Sequence, residues 1–516
     1  MHRTMLTTYP RSLWACGLLL VTCSLLPSCG SGGNAPAPIL ARYVEGGNGI
    51  FVDADGREIM LRGINVNSLA EYWQYDPDVA PVFEFTEADM DRLASMGFNL
   101  VRLLVTWSYV EPSPGEYDEA YIARVGDVID ALHARGIFTL VDMHQDAWGP
   151  SLSAPPGTVC EGSSFPAPGW DGAPAWATIV DDATSRCAPT FGGVLVREFS
   201  PAVVEAWSNF MNDAEGPGGV GVQTRFHAMW EHLAARLGGR PGVMGYDVIN
   251  EPNVFFGRSL EPLYTRAVEA IRAGEARAGV APRIIVVEPS AGWAQVPSGW
   301  TVRAFTDDPQ MAFGPHTYQD SITNIALDQS QIQRVRDEAA ALGGWPVLVG
   351  EWGSGPEDAE TEGSYIQRML QYQDEEHWST ANWVYQSACG DPHAAYHVLG
   401  QGGVANGWGL NVIRCDIANV PMEPFDGLVN ALSRPALHWA PGAIDSIRWV
   451  PGTRRFEAAG SDALAGAELR LYLPEQHADL QVALSGAADQ QESAWHGGRL
   501  ITARAVGGAW SLEVRP

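Results

Sequence analysis

Eight short apolar runs of strand length alternate with helical patterns between residues 60 and 385, and that alternation constrains the fold more than any other feature. The runs are Met60–Ile64, Asn99–Leu104, Phe138–Met143, Gly245–Asn250, Arg283–Val287, Met311–Gly314, Val347–Gly350 and Ala381–Tyr385. Helical patterns lie between them at Glu87–Met96, Glu119–Arg135, Pro201–Leu237, Leu260–Ala278 and Ser330–Leu342. Eight such units make the count of a closed (β/α)8 TIM barrel of parallel strands, an α/β fold. A hairpin precedes them: Ile50-Phe51-Val52, a turn at Asp53–Gly56, then a strand from Glu58. Beyond residue 440 the texture changes to short alternating stretches such as Leu469–Leu473 and Ala509–Val514, separated by Gly, Pro and Asp turns. That reads as a C-terminal antiparallel β-sandwich domain. The expected division is a barrel over 41–440 and a sandwich over 441–516.

Hydrophobic residues make up 46% of the 516, enough for a large core, and the formal net charge is −29. A balance so acidic argues against nucleic acid and against electrostatic attraction to an anionic membrane. The basic residues are all arginine. Residues 1–28 read as a signal peptide: His2, Arg3 and Arg11 form a positive start, and Leu13–Leu26 is an apolar stretch shorter than a membrane span. It ends at Leu26-Pro27-Ser28-Cys29-Gly30, which resembles the lipobox of bacterial lipoproteins. That resemblance implies an exported cell-envelope protein lipidated at Cys29, with residues 29–40 as a flexible linker. Plain secretion is the alternative.

Four cysteines remain for the exported chain, and four allow three connectivities. Cys160 with Cys187 and Cys389 with Cys415 is the expected pairing, because each pair lies within one long loop. The wide spacings, with no C-x-x-C, argue against zinc. The loop from about His144 to Ser200 is far longer than an ordinary connection, as functional or stapled loops are.

Barrel enzymes carry their chemistry at the C-terminal ends of the strands. Two of the apolar runs stop there at a glutamate: Gly245-Tyr246-Asp247-Val248-Ile249-Asn250-Glu251-Pro252 and Val347-Leu348-Val349-Gly350-Glu351-Trp352. Two carboxyl groups so placed are the parts needed to break a glycosidic bond. Glu251 is the candidate acid/base and Glu351 the candidate nucleophile, a pairing that requires carboxyls roughly 5 Å apart. Asn250 is placed to hydrogen-bond a sugar hydroxyl. Arg102, inside the second run, is a candidate cation to keep Glu351 ionised. His144 and Asp146 follow the third run as candidate sugar ligands. His316 and Tyr318 follow the sixth, to support the acid/base and the nucleophile. Trp383 in the eighth run is the foremost candidate stacking platform, with Trp176 second; Trp107, Trp293 and Trp352 also fall near the rim. A catalytic metal needs more convergent ligands than His316 alone supplies, so no metal or other cofactor is expected.

Arg102, His144, Asn250-Glu251, His316, Tyr318, Glu351 and Trp383 fall in the order of the functional set of family 5 glycoside hydrolases, which the chain resembles over about residues 45–440. Trp107-x-x-x-Glu111-Pro112-x-x-Gly115-x-Tyr117 is similar to the family's segment after strand two. The resemblance implies a retaining glycosidase with Glu251 as acid/base and Glu351 as nucleophile. Asp142-Met143-His144-Gln145-Asp146 with Gly149, Gly172–Ala177 and Leu432-Ser433-Arg434-Pro435 resemble the endoglycoceramidase group. That group cleaves the β-bond between glycan and ceramide, and its residues matching His144, Asp146 and Trp176 line the glycone site. A lysine that contacts substrate in some members has no counterpart here.

The expectation is a retaining β-glycosidase acting on glycolipids, monomeric, reaching the membrane surface through its lipid anchor. A β-glucosidase or β-glucanase using the same residues is the enzymatic alternative. A noncatalytic carbohydrate- or lipid-binding surface lipoprotein is the alternative from another class.

Overall fold

The structure is a computed structural model. It describes residues 39–516 apart from 46, 75–77, 168, 192–193, 196, 255–258, 296–300, 322–325, 356–358, 360, 362, 393–403, 406–408 and 415–420. The described residues form one compact unit.

Its centre is an eight-stranded sheet. The barrel strands are β1 (Arg62–Val66), β2 (Leu100–Thr106), β3 (Phe138–His144), β4 (Val243–Asp247), β5 (Ile284–Val287), β6 (Met311–Phe313), β7 (Leu348–Trp352) and β8 (Ser379–Asn382). They pair in the order β6-β5-β4-β3-β2-β1-β8-β7, all in parallel. Parallel bridges Phe313–Val347 and His316–Glu351 join β6 to β7 and close the barrel. The sequence dictates this directly. A parallel strand covered on both faces is apolar throughout, and every residue of β2 and β3 is buried.

The N-terminal end of the barrel is plugged. A three-stranded antiparallel sheet of Ile39–Arg42, Ile50–Asp53 and Glu58–Ile59 packs Ile39, Phe51 and Ile59 against Leu100, Phe138, Leu140, Met244 and Ile284 from the strands.

Two helical expectations change. The pattern over Pro201–Leu237 is two helices, Pro201–Met211 and Val222–Leu237. Between them Gly216-Pro217-Gly218-Gly219 cannot continue a helix. Asp213 takes a left-handed backbone there, and its side chain accepts hydrogen bonds from the Thr224 amide and hydroxyl. A further helix, Tyr365–Glu376, was not expected; it buries Tyr365, Ile366, Met369 and Leu370 at helical spacing.

The C-terminal module is a sandwich of two four-stranded antiparallel sheets. Its first strand is Ala436–Trp439, a few residues ahead of 441. Leu437, Phe456, Leu469, Leu471, Ile501, Trp510 and Val514 fill it. A buried ion cluster ties it to the barrel. Asp374, on helix Tyr365–Glu376, accepts from Arg62 of β1 at 3.3 Å, Arg434 at 2.7 Å and the Trp449 amide at 3.1 Å.

Cys160 and Cys187 are bonded, with Cα atoms 5.7 Å apart, and staple the long loop after β3. Cys389 is also in a disulfide; Cys415 lies outside the described residues, as do Cys29 and the leader. No described helix is long and apolar enough to cross a membrane.

Candidate active site

The C-terminal mouth gathers side chains from all eight strand ends, and Arg102 stands at their centre. Its guanidinium is fully buried and uses its planar array of donors on five neighbours from four strands or their ends. Nη1 donates to Glu351 Oε1 at 2.8 Å and to Asn65 Oδ1 at 3.0 Å. Nε donates to Asp247 at 3.0 Å. Nη2 reaches Asn250 Oδ1 at 2.9 Å and Glu288 Oε1 at 2.8 Å, and lies 3.0 Å from Asp142. Burial alone would favour the neutral arginine. The carboxylates of Asp142, Asp247, Glu288 and Glu351 outweigh it and hold the pKa well above its ordinary value.

Glu251 and Glu351 face each other across this cluster. An oxygen from each and a ring nitrogen of His316 all lie within 4.8 Å of one another. His316 Nδ1 is 2.9 Å from Glu251 Oε1 and 3.6 Å from Glu351 Oε2. Tyr318 donates its hydroxyl to Glu351 Oε2 at 2.9 Å. The two carboxyls differ in environment. Burial pushes Glu251 up to about 7, against the opposing hydrogen bond from His316. Burial would raise Glu351 as well, but His316, Arg102 and His144 together hold it below its ordinary value. Two carboxyl groups with separated proton affinities are what divides acid from nucleophile. His316 itself, despite burial, is kept protonated by Glu288 and Glu351.

Glu251 sits in a left-handed backbone conformation, φ +34°. For a glutamate this costs about 1–3 kcal/mol, and the surroundings enforce it. Its N–H donates to Glu288 Oε2 at 2.7 Å. Gln145 Nε2 donates to the carbonyls of Asn250 and Glu251 at 2.7 and 3.0 Å. Asn250 donates in return to the Gln145 carbonyl at 3.0 Å.

His144 forms the floor on the other side. Its Nδ1 is 2.6 Å from Asp142, and its ring stacks on Trp383 with centroids 5.3 Å apart. Desolvation opposes protonation, but Asp142 and Asp171 overcome it and raise the pKa to about 10. Its Nε2 is buried and has no hydrogen-bond partner among the described residues. Asp146 lies 3.8 Å from that nitrogen and 3.2 Å from Arg197. Trp176 is half-buried, donates to the Glu111 carbonyl at 2.9 Å and packs edge-on against Trp107. Trp107, Trp293 and Trp352 belong to the main hydrophobic core, whereas Trp383 lies in a separate small cluster with Leu104 and Tyr318.

Three groups bring metal-type ligands within 4.8 Å: His144/Asp146/Asp171, Glu251/His316/Glu351 and Asp142/Asp247/Glu288. In the last two the positive charge is already supplied, by His316 and by Arg102.

Glu288, Asp247, Asn65 and Arg197 are not among the residues expected above. Glu288 carries a visible signal: Ile285-Val286-Val287-Glu288-Pro289 is a third apolar run that stops at a glutamate and a proline.

A closed (β/α)8 barrel with two unequal carboxyls facing across its C-terminal mouth defines a glycoside hydrolase. The chain belongs to glycosyl hydrolase family 5, the cellulase family, which matches residues 52–388. It is 29% identical over 291 residues to endoglycoceramidase I of Rhodococcus hoagii, covering 52% of this chain and 51% of that one. The chain therefore spans about half the length of the curated relatives it matches. Among solved structures, a crystal structure of an endogalactoceramidase superposes with TM-score 0.80 at 32% identity, over 92% of this chain and 99% of the other. The lactosyl–enzyme intermediate of endo-glycoceramidase II from Rhodococcus sp. superposes with TM-score 0.66 at 25% identity, over 93% and 100%.

Proposed function

We propose that this family 5 enzyme is a retaining β-glycosidase that hydrolyses the β-glycosidic bond of glycolipids, in the manner of an endoglycoceramidase. The observation that carries the mechanism is the pair Glu251 and Glu351, with oxygens within 4.8 Å. That spacing suits direct attack by one carboxylate and falls short of the roughly 6.5–9.5 Å that inverting enzymes keep between their carboxyls. Glu351, ionised beside Arg102 and fixed by Tyr318, attacks the anomeric carbon and forms the glycosyl–enzyme. Glu251 gives its proton to the leaving oxygen, then takes one from the water that releases the sugar. His144 presents Nε2–H, and Asp146 an acceptor, to the glycone hydroxyls; Trp383 forms the platform under the ring. The glycolipid substrate is supported by the names of the relatives and by the lactosyl–enzyme structure.

Mass spectrometry of the products from a glycosphingolipid with several sugars tests this reading. An intact oligosaccharide and free ceramide are expected. Stepwise loss of single sugars, or cleavage of simple aryl β-glucosides alone, moves the substrate to the β-glucosidase or β-glucanase reading. No turnover of any β-glycoside leaves a noncatalytic binding protein.

The pH dependence follows from the two carboxyls. Activity requires Glu251 protonated and Glu351 ionised. The rate should therefore fall as pH rises through about 7, where Glu251 loses its proton. It should hold on the acid side to below the ordinary glutamate value of about 4.3, because Glu351 is held low. A kcat/KM profile on a soluble aryl glycoside reads both limbs, and a basic limb near pH 9 would remove Glu251 from the role.

The N-terminal leader and its Leu26-Pro27-Ser28-Cys29-Gly30 ending support a location outside the cytoplasm, with a lipid anchor on Cys29. Labelling of cells with radioactive palmitate should mark the protein and fail on Cys29→Ser. Equal labelling of both, or of neither, argues against the anchor.

A further inference from the structure

We propose that Glu288 is a positioning residue of the acid/base, holding Glu251 at both its backbone and its carboxyl end. The inference rests on the glycosidase reading above, with Glu251 as acid/base.

Glu288 directly follows β5 and is 1% exposed. Oε2 accepts the Glu251 N–H at 2.7 Å. Oε1 lies 3.3 Å from His316 Nε2, and the other ring nitrogen of that histidine meets the Glu251 carboxyl at 2.9 Å. One carboxylate thus bears on Glu251 twice, by a hydrogen bond at the main chain and by an ion pair with the imidazole that meets the side chain. Glu288 is itself fixed. Tyr264, on helix Glu261–Ala278, donates its hydroxyl to the Glu288 carbonyl at 2.7 Å and accepts the Glu288 N–H at 3.3 Å.

The charged groups around Glu288 come from every neighbouring strand. Arg102 of β2 donates to it at 2.8 Å. Asp142 of β3 and Asp247 of β4 have oxygens within 4.8 Å of its own. His316 approaches from beyond β6. The cavity beside Glu251, Glu288, Ser290, Trp293 and His316 has a volume of about 10 Å³. That admits one water and no sugar. Glu288 therefore acts on the reaction only through its neighbours, Glu251 and His316 on the side of the acid/base and Arg102 on the side of the nucleophile.

The physical need is specific. Left-handed backbone is disfavoured for glutamate, and a charged acceptor on its N–H is one of the stronger contacts available to hold it there. Without that acceptor the residue relaxes and its carboxyl moves off the leaving oxygen, and small displacements of a catalytic group are costly in rate.

Glu288→Gln keeps the shape while removing the charge. The test compares kcat/KM on two aryl glycosides of a sugar the wild type accepts, one leaving as phenol and one as 2,4-dinitrophenol. For a retaining enzyme kcat/KM reports the first step, in which phenol needs the acid and dinitrophenol does not. The variant should lose at least about tenfold more on the phenyl than on the dinitrophenyl substrate. On the dinitrophenyl substrate its kcat and KM should fall together, because Glu251 also serves as base in releasing the sugar. Labelling by a 2-fluoro dinitrophenyl glycoside, which needs only Glu351, counts folded sites and keeps the comparison valid if part of the preparation misfolds. Equal losses on both substrates, per labelled site, would overturn the inference while leaving the glycosidase reading intact. A wild type inactive on both would overturn that reading and this inference with it.

Discussion

Glu351→Gln should abolish turnover of every β-glycoside the enzyme accepts, lowering kcat by on the order of 10⁴-fold or more, as loss of a nucleophile does elsewhere. The glutamine keeps the volume; its amide oxygen can still accept from Arg102 while its NH2 donates to the Tyr318 hydroxyl, at the positions of the two carboxylate oxygens now held at 2.8 and 2.9 Å. What it lacks is the charge and the oxygen that would bond to the anomeric carbon. The protein should fold, since Arg102 retains Asp142, Asp247 and Glu288 as counter-charges. Glycolipid should still bind, because His144, Asp146 and Trp383 are untouched. Product analysis beside a binding measurement separates these statements. A variant with a tenth of the wild-type rate would show that Glu351 is not the nucleophile.

Arg102→Met should produce the largest loss of stability. The substitution removes one buried cation and leaves Asp142, Asp247, Glu288 and Glu351 in its former shell. Breaking a buried charge arrangement from one side costs about 3–5 kcal/mol, because the partners stay desolvated. The sign of the pH effect follows. Without the arginine these carboxyls bind protons more tightly in the folded than in the unfolded chain, so the penalty is greatest above neutrality and shrinks as they protonate. Urea unfolding at pH 8 and pH 5.5 should show a deficit that is larger at pH 8. An unfolding midpoint equal to wild type at both would mean that the cluster does not depend on Arg102. Lysine should not substitute, since one ammonium cannot reach donors' targets on so many strands.

Much of this architecture was legible in the chain. Buried parallel strands are continuous apolar runs, so all eight appear in the sequence within a few residues of where they lie. The placement of Glu251 and Glu351 was legible for a related reason: a carboxyl at the end of such a run has nowhere to go but the mouth of the barrel. What was hidden is non-local. Asn65, Asp142, Asp247 and Glu288 matter because they converge on one guanidinium from β1, β3, β4 and the end of β5, and no local pattern encodes convergence. Glu288 could have been found, since its Val287-Glu288-Pro289 ending repeats the Glu251-Pro252 pattern; Asp247 could not. The tryptophans near the rim read both ways from sequence. Trp107, Trp293 and Trp352 stand where an aromatic platform would, but β-barrel shoulders also need large apolar filling, and that is their use here. The helix break after Met211 was written in Gly216–Gly219, and only the length of the apolar pattern on either side obscured it.

The left-handed backbone of Glu251 sets stability and activity in opposition at one position. Any residue that tolerates that conformation better than glutamate, glycine above all, releases the stored strain and removes a carboxyl from a crowded pocket. A library of variants sorted by heat resistance alone would therefore drift toward inert barrels. Selection for thermostable enzyme must score turnover in the same round.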